Sequence, residues 1–163
     1  MYSPKRKKGN IAEEIVVSHL KNIGFHILDQ NYLKKWGEID IVAEKSKKIH
    51  FIEVKSSVLQ NFNGFTDANR TEDWKISVSA ESDSVSRETD DSIFNPVWNM
   101  TKKKKIRFSR IIRTYLADKY SETGSNFEKS MPDFQIDLFS VLLDFYQKVA
   151  YINRIEDILL ENN

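Results

Sequence analysis

The sequence predicts an α/β fold in which helices flank a mixed central sheet. Three observations carry that prediction. Two segments place apolar residues at helical spacing. Two short β-rich segments are separated only by a charged turn. A further β-rich segment follows the second helix, which gives the order α-β-β-β-α-β plus a terminal element. The 163 residues suffice for one compact domain with a single core, so 1–163 is read as one domain.

The first helix is expected over 9–23, where Ile11, Ala12, Ile15, Val16, His19, Leu20 and Ile23 share a face. Gly24 is a natural C-terminal stop. A short strand follows at 25–28, then a turn through Asp29, Gln30 and Asn31. The second strand covers 38–43 and the third 49–54, and the short turn between them, 44–48, makes them an antiparallel hairpin. Residues 59–98 differ in character, with nine Ser or Thr residues, no sustained period and a net charge of −5. They read as a partly mobile insertion tacked down by Trp74 and Ile76, because low apolar content cannot offset the entropy of ordering. The second helix is expected over 101–120, with Phe108, Ile111, Ile112, Tyr115 and Leu116 as its buried stripe. A strand near 134–142 and a last strand or helix over 149–160 complete the chain.

Composition narrows the function classes. Hydrophobic residues make up 40% and charged residues 30%, as in soluble globular proteins. No apolar run approaches the roughly 18 residues of a membrane span, and no apolar stretch follows the basic start to make a secretory signal. The absence of cysteine excludes a disulfide framework and a Cys-type zinc site, and fits a reducing cytoplasm, the expected location. The formal net charge of +1 hides an asymmetry, since the chain outside 59–98 carries +6.

The chemistry concentrates between Gly37 and Lys55. The third strand reads Phe51-Ile-Glu-Val-Lys55, and alternation puts Glu53 and Lys55 on one face with Val54 on the other. Charged groups on an apolar strand are expensive to desolvate unless they have partners. Asp40, between Ile39 and Ile41, can approach Glu53 across the hairpin. Two close carboxylates repel, and a divalent cation relieves the repulsion; oxygen donors of this kind suit Mg²⁺ or Mn²⁺. Asp40 and Glu53, with the Val54 carbonyl, are the expected metal ligands. Lys55 is placed to orient an attacking water or to stabilise developing negative charge. The plain alternative is a structural Glu–Lys pair at the end of a sheet.

Gly37-Glu-Ile-Asp-Ile-Val42 followed by Phe51-Ile-Glu-Val-Lys55 resembles the YraN-like family of predicted endonucleases, a branch of the PD-(D/E)XK nuclease superfamily near the archaeal Holliday junction resolvases. The helix from Ala12 to Leu20 with Gly24-Phe25, the pair Asn31-Tyr32, the stretch Asn99-Met100 with 102–116, and Phe134-Gln-Ile-Asp-Leu138 resemble further parts of the family pattern. Ser57 stands where the family often has a basic residue, and Ala12 where it has the opening glycine. The resemblance implies a restriction-endonuclease-like core and a Mg²⁺- or Mn²⁺-dependent endonuclease acting on DNA, branched or otherwise structured DNA included. A fold implies less about activity than a site does.

Glu13 lies about 110° from the centre of the first helix's apolar face and Glu14 about 150°, so Glu13 borders the buried side. It also aligns with the resemblance and is the candidate for an additional catalytic ligand, direct or through water; a first-turn acid favoured by the helix dipole is the plain reading. Glu38 shares a strand face with Asp40 and is either a further ligand or a salt-bridge partner near the turn. His19, His26 and His50 show no metal-ligand spacing. Residues 102–113 hold seven basic residues and no acid. Lys103, Arg107 and Arg110 form one stripe opposite the apolar one, suited to phosphates, and Lys5 to Lys8 form a basic arm that can add contacts. DNA is the expected partner, no membrane is, and a homodimer is left open. A nucleic-acid-binding protein that keeps the fold without cleaving, and a small structural protein with fortuitous charges, are the competing readings.

Overall fold

Strand β3 (Lys48–Val58) runs through the middle of the sheet, buried on both faces from Ile49 to Glu53. The computed structural model describes residues 4–59, 74–78, 102–120 and 131–158, the side chains of 4–8 and 102 excepted. Around β3 the strands β1 (His26–Lys34), β2 (Gly37–Lys45), β4 (Lys75–Val78), β5 (Phe134–Asp144) and β6 (Val149–Ile155) stand in the order β1-β2-β3-β5-β6-β4. β3 pairs antiparallel with β2 and parallel with β5, so the sheet is mixed, as the sequence predicts. Helix α1 (Pro4–Asn22) covers one face, where Ala12, Ile15, Val16 and Leu20 meet Ile41, Ile52, Phe139 and Val141. Helix α2 (Lys102–Tyr120) covers the other, with Phe108, Ile111, Ile112, Tyr115 and Leu116 against Val42, Ile49, Phe51 and Ile136. A parallel β3–β5 pair requires a crossover, and α2 is part of it.

The elements differ from expectation in ways the backbone explains. α1 begins at Pro4, not at residue 9, because proline has no N–H to forfeit in the first turn. Lys5 to Lys8 thus belong to the helix, not to an arm. At the other end Phe25 N–H donates to the Leu20 carbonyl (2.9 Å) and Gly24 N–H to Lys21 (3.1 Å), with Gly24 at φ 87°. That is a Schellman turn, and it leaves Ile23 exposed rather than on the apolar face.

β1 does not turn at 29–31 but continues to Lys34. A register shift between Ile27 and Asp29 absorbs one residue as a bulge, and Asn31 takes φ 54°, which asparagine tolerates. The turn falls instead at Lys35-Trp36. The β2–β3 turn is tighter than expected: Lys45 faces Lys48, and Ser46 and Lys47 both have positive φ, 53° and 66°, as a two-residue hairpin with the right twist demands. The last element is a strand, β6. Within the expected insertion, β4 pairs parallel with β6, Trp74 is buried edge-on to Phe145 at 5.1 Å, and Ile76 packs on the same core. Residues 60–73 and 79–98, on which the expectation of mobility rests, lie outside the described residues.

Candidate active site

The β2–β3 ladder stops where the chemistry starts. Its last pair is Ile41 with Ile52, and the same register continued one step sets Asp40 opposite Glu53. The Val54 N–H then donates to Asp40 Oδ2 at 2.7 Å. The Asp40 side chain thus takes a hydrogen bond at the point where β2 leaves β3. Glu53 is buried, and its Oε1 accepts from Lys55 Nζ at 2.6 Å. The same oxygen accepts from Lys104 Nζ, which reaches across from the first turn of α2. Both Glu53 and Lys55 are in phase with Phe51 and Ile49, on the face that α2 covers.

The acids form one electrostatic unit. Burial raises the Asp40 carboxyl to about 7, the charge of Glu53 adds to this, and Glu13 and Glu38 contribute; the Val54 hydrogen bond opposes it. Glu13, half-buried on α1, is also raised, first by burial and then by Glu38, with Glu53 and Glu14 adding, while a hydrogen bond with the Asn31 side chain works the other way. Glu14 is exposed, as the helix geometry predicts. Burial lowers Lys55 below the usual lysine range despite the adjacent carboxylate. Burial works against the charge on Lys104, but its hydrogen bond to Glu53, the interaction with Lys55 and the charges of Glu53 and Asp40 together outweigh this and the pKa is raised.

Asp40, Glu53, Val54 and Lys55 are joined by hydrogen bonds and strand pairing, and Glu13 is coupled to Asp40 and Glu53 through its charge. Lys103, Arg107 and Arg110 do not join them: they are exposed on the outer side of α2. Glu38 is exposed as well and acts on the site through its charge.

A carboxylate pKa of about 7 has a consequence for the metal-free protein. Asp40 in the folded state keeps its proton between its ordinary value of 3.8 and about 7, where the unfolded chain has lost it. The native state binds more protons in that window, so this contribution to stability is largest below it and falls as pH rises through it, by up to about 1.4 kcal/mol per unit. Asp40→Asn keeps an acceptor for Val54 and removes the charge. In EDTA the melting temperature of Asp40→Asn relative to wild type is expected to climb between pH 4.5 and 8. A difference independent of pH would show that Asp40 is not held protonated.

Residues 12–81 match the family described as Uncharacterised protein family UPF0102. This stretch is similar to the UPF0102 proteins. The resemblance to YraN-like proteins holds here, since the two names denote one family. A UPF0102 protein of Sulfurihydrogenibium sp. is 45% identical over 58 residues, which are 36% of this chain and 50% of that protein. One from Aliarcobacter butzleri is 51% identical over 53 residues, 32% of this chain and 48% of the relative. One from Campylobacter lari is 56% identical over 46 residues, 28% of this chain and 41% of the relative. The chain thus spans about half the length, or less, of these curated relatives. The matched segment contains Glu13, Asp40, Glu53 and Lys55 and stops short of α2 and β5. The wider likeness read at 99–116 and 134–138 lies outside it.

Two residues of the site escaped the sequence reading. Lys104 carried a usable signal: it precedes Phe108 by four positions and so falls on the buried stripe, whereas Lys103 faces outward. Asn31, the partner of Glu13, was visible only as part of a turn, and it takes a positive φ inside a strand.

Proposed function

We propose that the protein is a metal-dependent endonuclease that hydrolyses phosphodiester bonds in DNA, branched or structured DNA included. The observation that carries this is the placement of Asp40 and Glu53 on adjacent strands, with Lys55 hydrogen-bonded to Glu53 and Glu13 coupled to both acids through its charge. The donor set fits a hard divalent cation. It is all oxygen, and Asp40, raised first by burial and then by the charge of Glu53, feels a repulsion that a cation would relieve. Among the described residues no three carboxylates or imidazoles form a ready cage. A cation at Asp40 and Glu53 would complete its shell with the Val54 carbonyl and water, in keeping with the reluctance of Mg²⁺ to dehydrate. The Val54 N–H already points to the Asp40 side, and in an extended residue the carbonyl points the same way.

A bound Mg²⁺ or Mn²⁺ supplies Lewis acidity, lowering the pKa of water and offsetting charge on the pentavalent phosphorus. The chain supplies the rest. Lys55, anchored on Glu53, presents an ammonium to the attacking water or to the developing negative charge. Lys104 brings a second ammonium from α2 to the same Glu53 oxygen. Glu13, held by Asn31, adds a carboxylate that can accept a hydrogen bond from water.

Two ammonium groups on one Glu53 oxygen also suit a site that is balanced without a cation, which favours the second reading, a nucleic-acid-binding protein that does not cleave. One assay separates the two. Purified protein is incubated with linear, single-stranded, flapped and four-way DNA, with Mg²⁺, with Mn²⁺ or with EDTA. The nuclease reading expects divalent-dependent cleavage that Asp40→Asn abolishes. Binding without cleavage under every condition would leave the non-cleaving reading.

The exposed stripe on α2 has a separate test. Replacing Lys103, Arg107 and Arg110 with Ala removes up to three phosphate contacts. The slope of log K against log salt is expected to flatten by up to about 2.7, with Mg²⁺ affinity unchanged. An unchanged slope in filter-binding titrations would return the stripe to an ordinary solvated helix face.

A further inference from the structure

The tip of the β1–β2 hairpin is seated on α2 beside the acidic cluster. Gly37 lies against α2, where a Cβ would be in ordinary contact, 3.4 Å from Ile111 Cβ and 3.5 Å from the Arg107 carbonyl. The hairpin is fixed a second time lower down, where Asp118 on α2 accepts from Tyr32 Oη (2.5 Å) and pairs with Lys34 Nζ (2.8 Å). This mounting holds Trp36 at the tip. Its side chain is 36% exposed, and the Arg110 guanidinium lies over the ring, 5.1 Å from the centroid. A large aromatic on a turn beside solvent gains little from folding. An arginine-backed aromatic next to a basic stripe is a stacking surface.

Its position relative to the site is fixed by two elements. Along β2, Trp36 precedes Asp40 by four residues, about 13 Å. Along α2, Arg110, Arg107 and Lys103 lead in the direction of Lys104, which contacts Glu53, and Arg110 to Lys104 is about 9 Å of helix. The cations therefore run from the aromatic toward the acids, the path a phosphodiester backbone would follow. α2 carries no acid between 102 and 117 to neutralise them.

We propose that Trp36, backed by Arg110, is a binding site for an unpaired nucleobase, which makes a single-stranded DNA segment the preferred occupant of this face. The inference deepens the nucleic-acid reading of the acidic site and rests on it. The chemistry selects the single strand. In a duplex each base is stacked on its neighbours and offers no free face, whereas an unpaired base exposes a π surface to an aromatic ring. Arg107 and Lys103 take the phosphates on the side toward Glu53. Recognition by stacking is indifferent to sequence, so the site reads strandedness and not base identity.

The test is binding of the full chain in EDTA, where cleavage cannot intervene. Three fluorescent probes are compared at one salt concentration: a short oligothymidine, a blunt DNA duplex and a heparin fragment. Trp36→Ala is expected to weaken oligothymidine binding by at least about tenfold, with duplex and heparin binding nearly unchanged. Oligothymidine should also quench tryptophan emission in wild type, and Trp36→Phe should lose that quench while binding more tightly than the alanine variant. A thermal melt checks folding, and Trp36→Leu, which keeps the apolar bulk without the π face, replaces the alanine variant if that one unfolds. Equal loss on all three probes, or no loss on oligothymidine, overturns the proposal. If the wild type binds none of the probes, the nucleic-acid reading falls and this one with it. Stacking at Trp36 without cleavage in Mg²⁺ sustains the proposal and removes only the nuclease chemistry.

Discussion

Lys55→Ala is expected to lower Mg²⁺-dependent DNA cleavage by about 10² to 10³, the usual cost of removing one group that stabilises a transition state. Asp40→Asn is expected to remove cleavage altogether. The two variants differ in what else they change. Lys55 is a cation on Glu53, 2.6 Å away, so its loss leaves more negative charge to attract a divalent ion. Metal binding by Lys55→Ala should persist or strengthen while turnover collapses. Lys104 remains on Glu53 in that variant and keeps the buried carboxylate paired, which protects the fold. If the pair were merely structural, both changes would lower stability and neither would alter cleavage. Rates on four-way and flapped DNA, with melts of each variant, distinguish the outcomes.

The largest effect on stability is expected away from that site, at Asp137. This residue is fully buried on β5. His50 Nδ1 lies 2.8 Å from its Oδ2 and Arg154 Nη2 2.7 Å from the same oxygen, while Gln135 Nε2 (2.8 Å) and Asp157 N–H (3.2 Å) donate to Oδ1. The Arg154 guanidinium also lies over the rings of Phe25 and Phe139, 5.2 and 5.6 Å from their centroids. Burial alone would raise the Asp137 carboxyl, but the hydrogen bonds from His50, Arg154 and Gln135 outweigh it and bring it down to about 2. Asp137→Asn removes the buried counter-charge of Arg154, leaving it among aromatic rings with only the exposed Glu156 carboxylate, 2.8 Å from its Nη1. A cost of about 3–5 kcal/mol is expected, read as a fall of roughly 10 °C or more in melting temperature. The pH dependence has the opposite sign to that of Asp40. A depressed carboxylate contributes stability that is complete above its ordinary value of 3.8 and is lost as pH falls toward about 2. Wild type should therefore lose its advantage over Asp137→Asn between about pH 4 and 2. A loss below about 1 kcal/mol at neutral pH would mean that Arg154 finds other compensation.

The two helices and the central hairpin were legible in the sequence because local signals and tertiary packing agree there. All five apolar positions of the α2 stripe are buried, and the charged turn before Ile49 does join antiparallel strands. β1 was cut short because Asp29-Gln-Asn31 has turn chemistry. In an edge strand that chemistry is accommodated by a bulge and one positive φ instead of a reversal. The pairing of β4 with β6 joins residues more than seventy positions apart, and no local pattern specifies it. Within the candidate site, strand alternation placed Glu53 and Lys55, and helix phase separated Glu13 from Glu14. Lys104 was hidden in a run of four lysines whose charge drew attention to the exposed stripe. The Asp137 cluster was invisible for a different reason: its side-chain partners His50, Gln135 and Arg154 come from β3, β5 and β6, and individually they are ordinary polar residues. The −5 net charge of 59–98 bears on ground that the described residues mostly leave out.

The central claim is that Asp40 and Glu53 hold a divalent cation, and calorimetric titration of Mg²⁺ into wild type and Asp40→Asn at pH 8 tests it most directly. The titration needs no knowledge of the DNA substrate, and at that pH Asp40 is above its raised pKa of about 7 and available as a ligand. Wild type is expected to show a saturable heat, and Asp40→Asn, with its fold verified by melting, none. An equal Mg²⁺ response in the two proteins would contradict the assignment of the metal to Asp40 and Glu53.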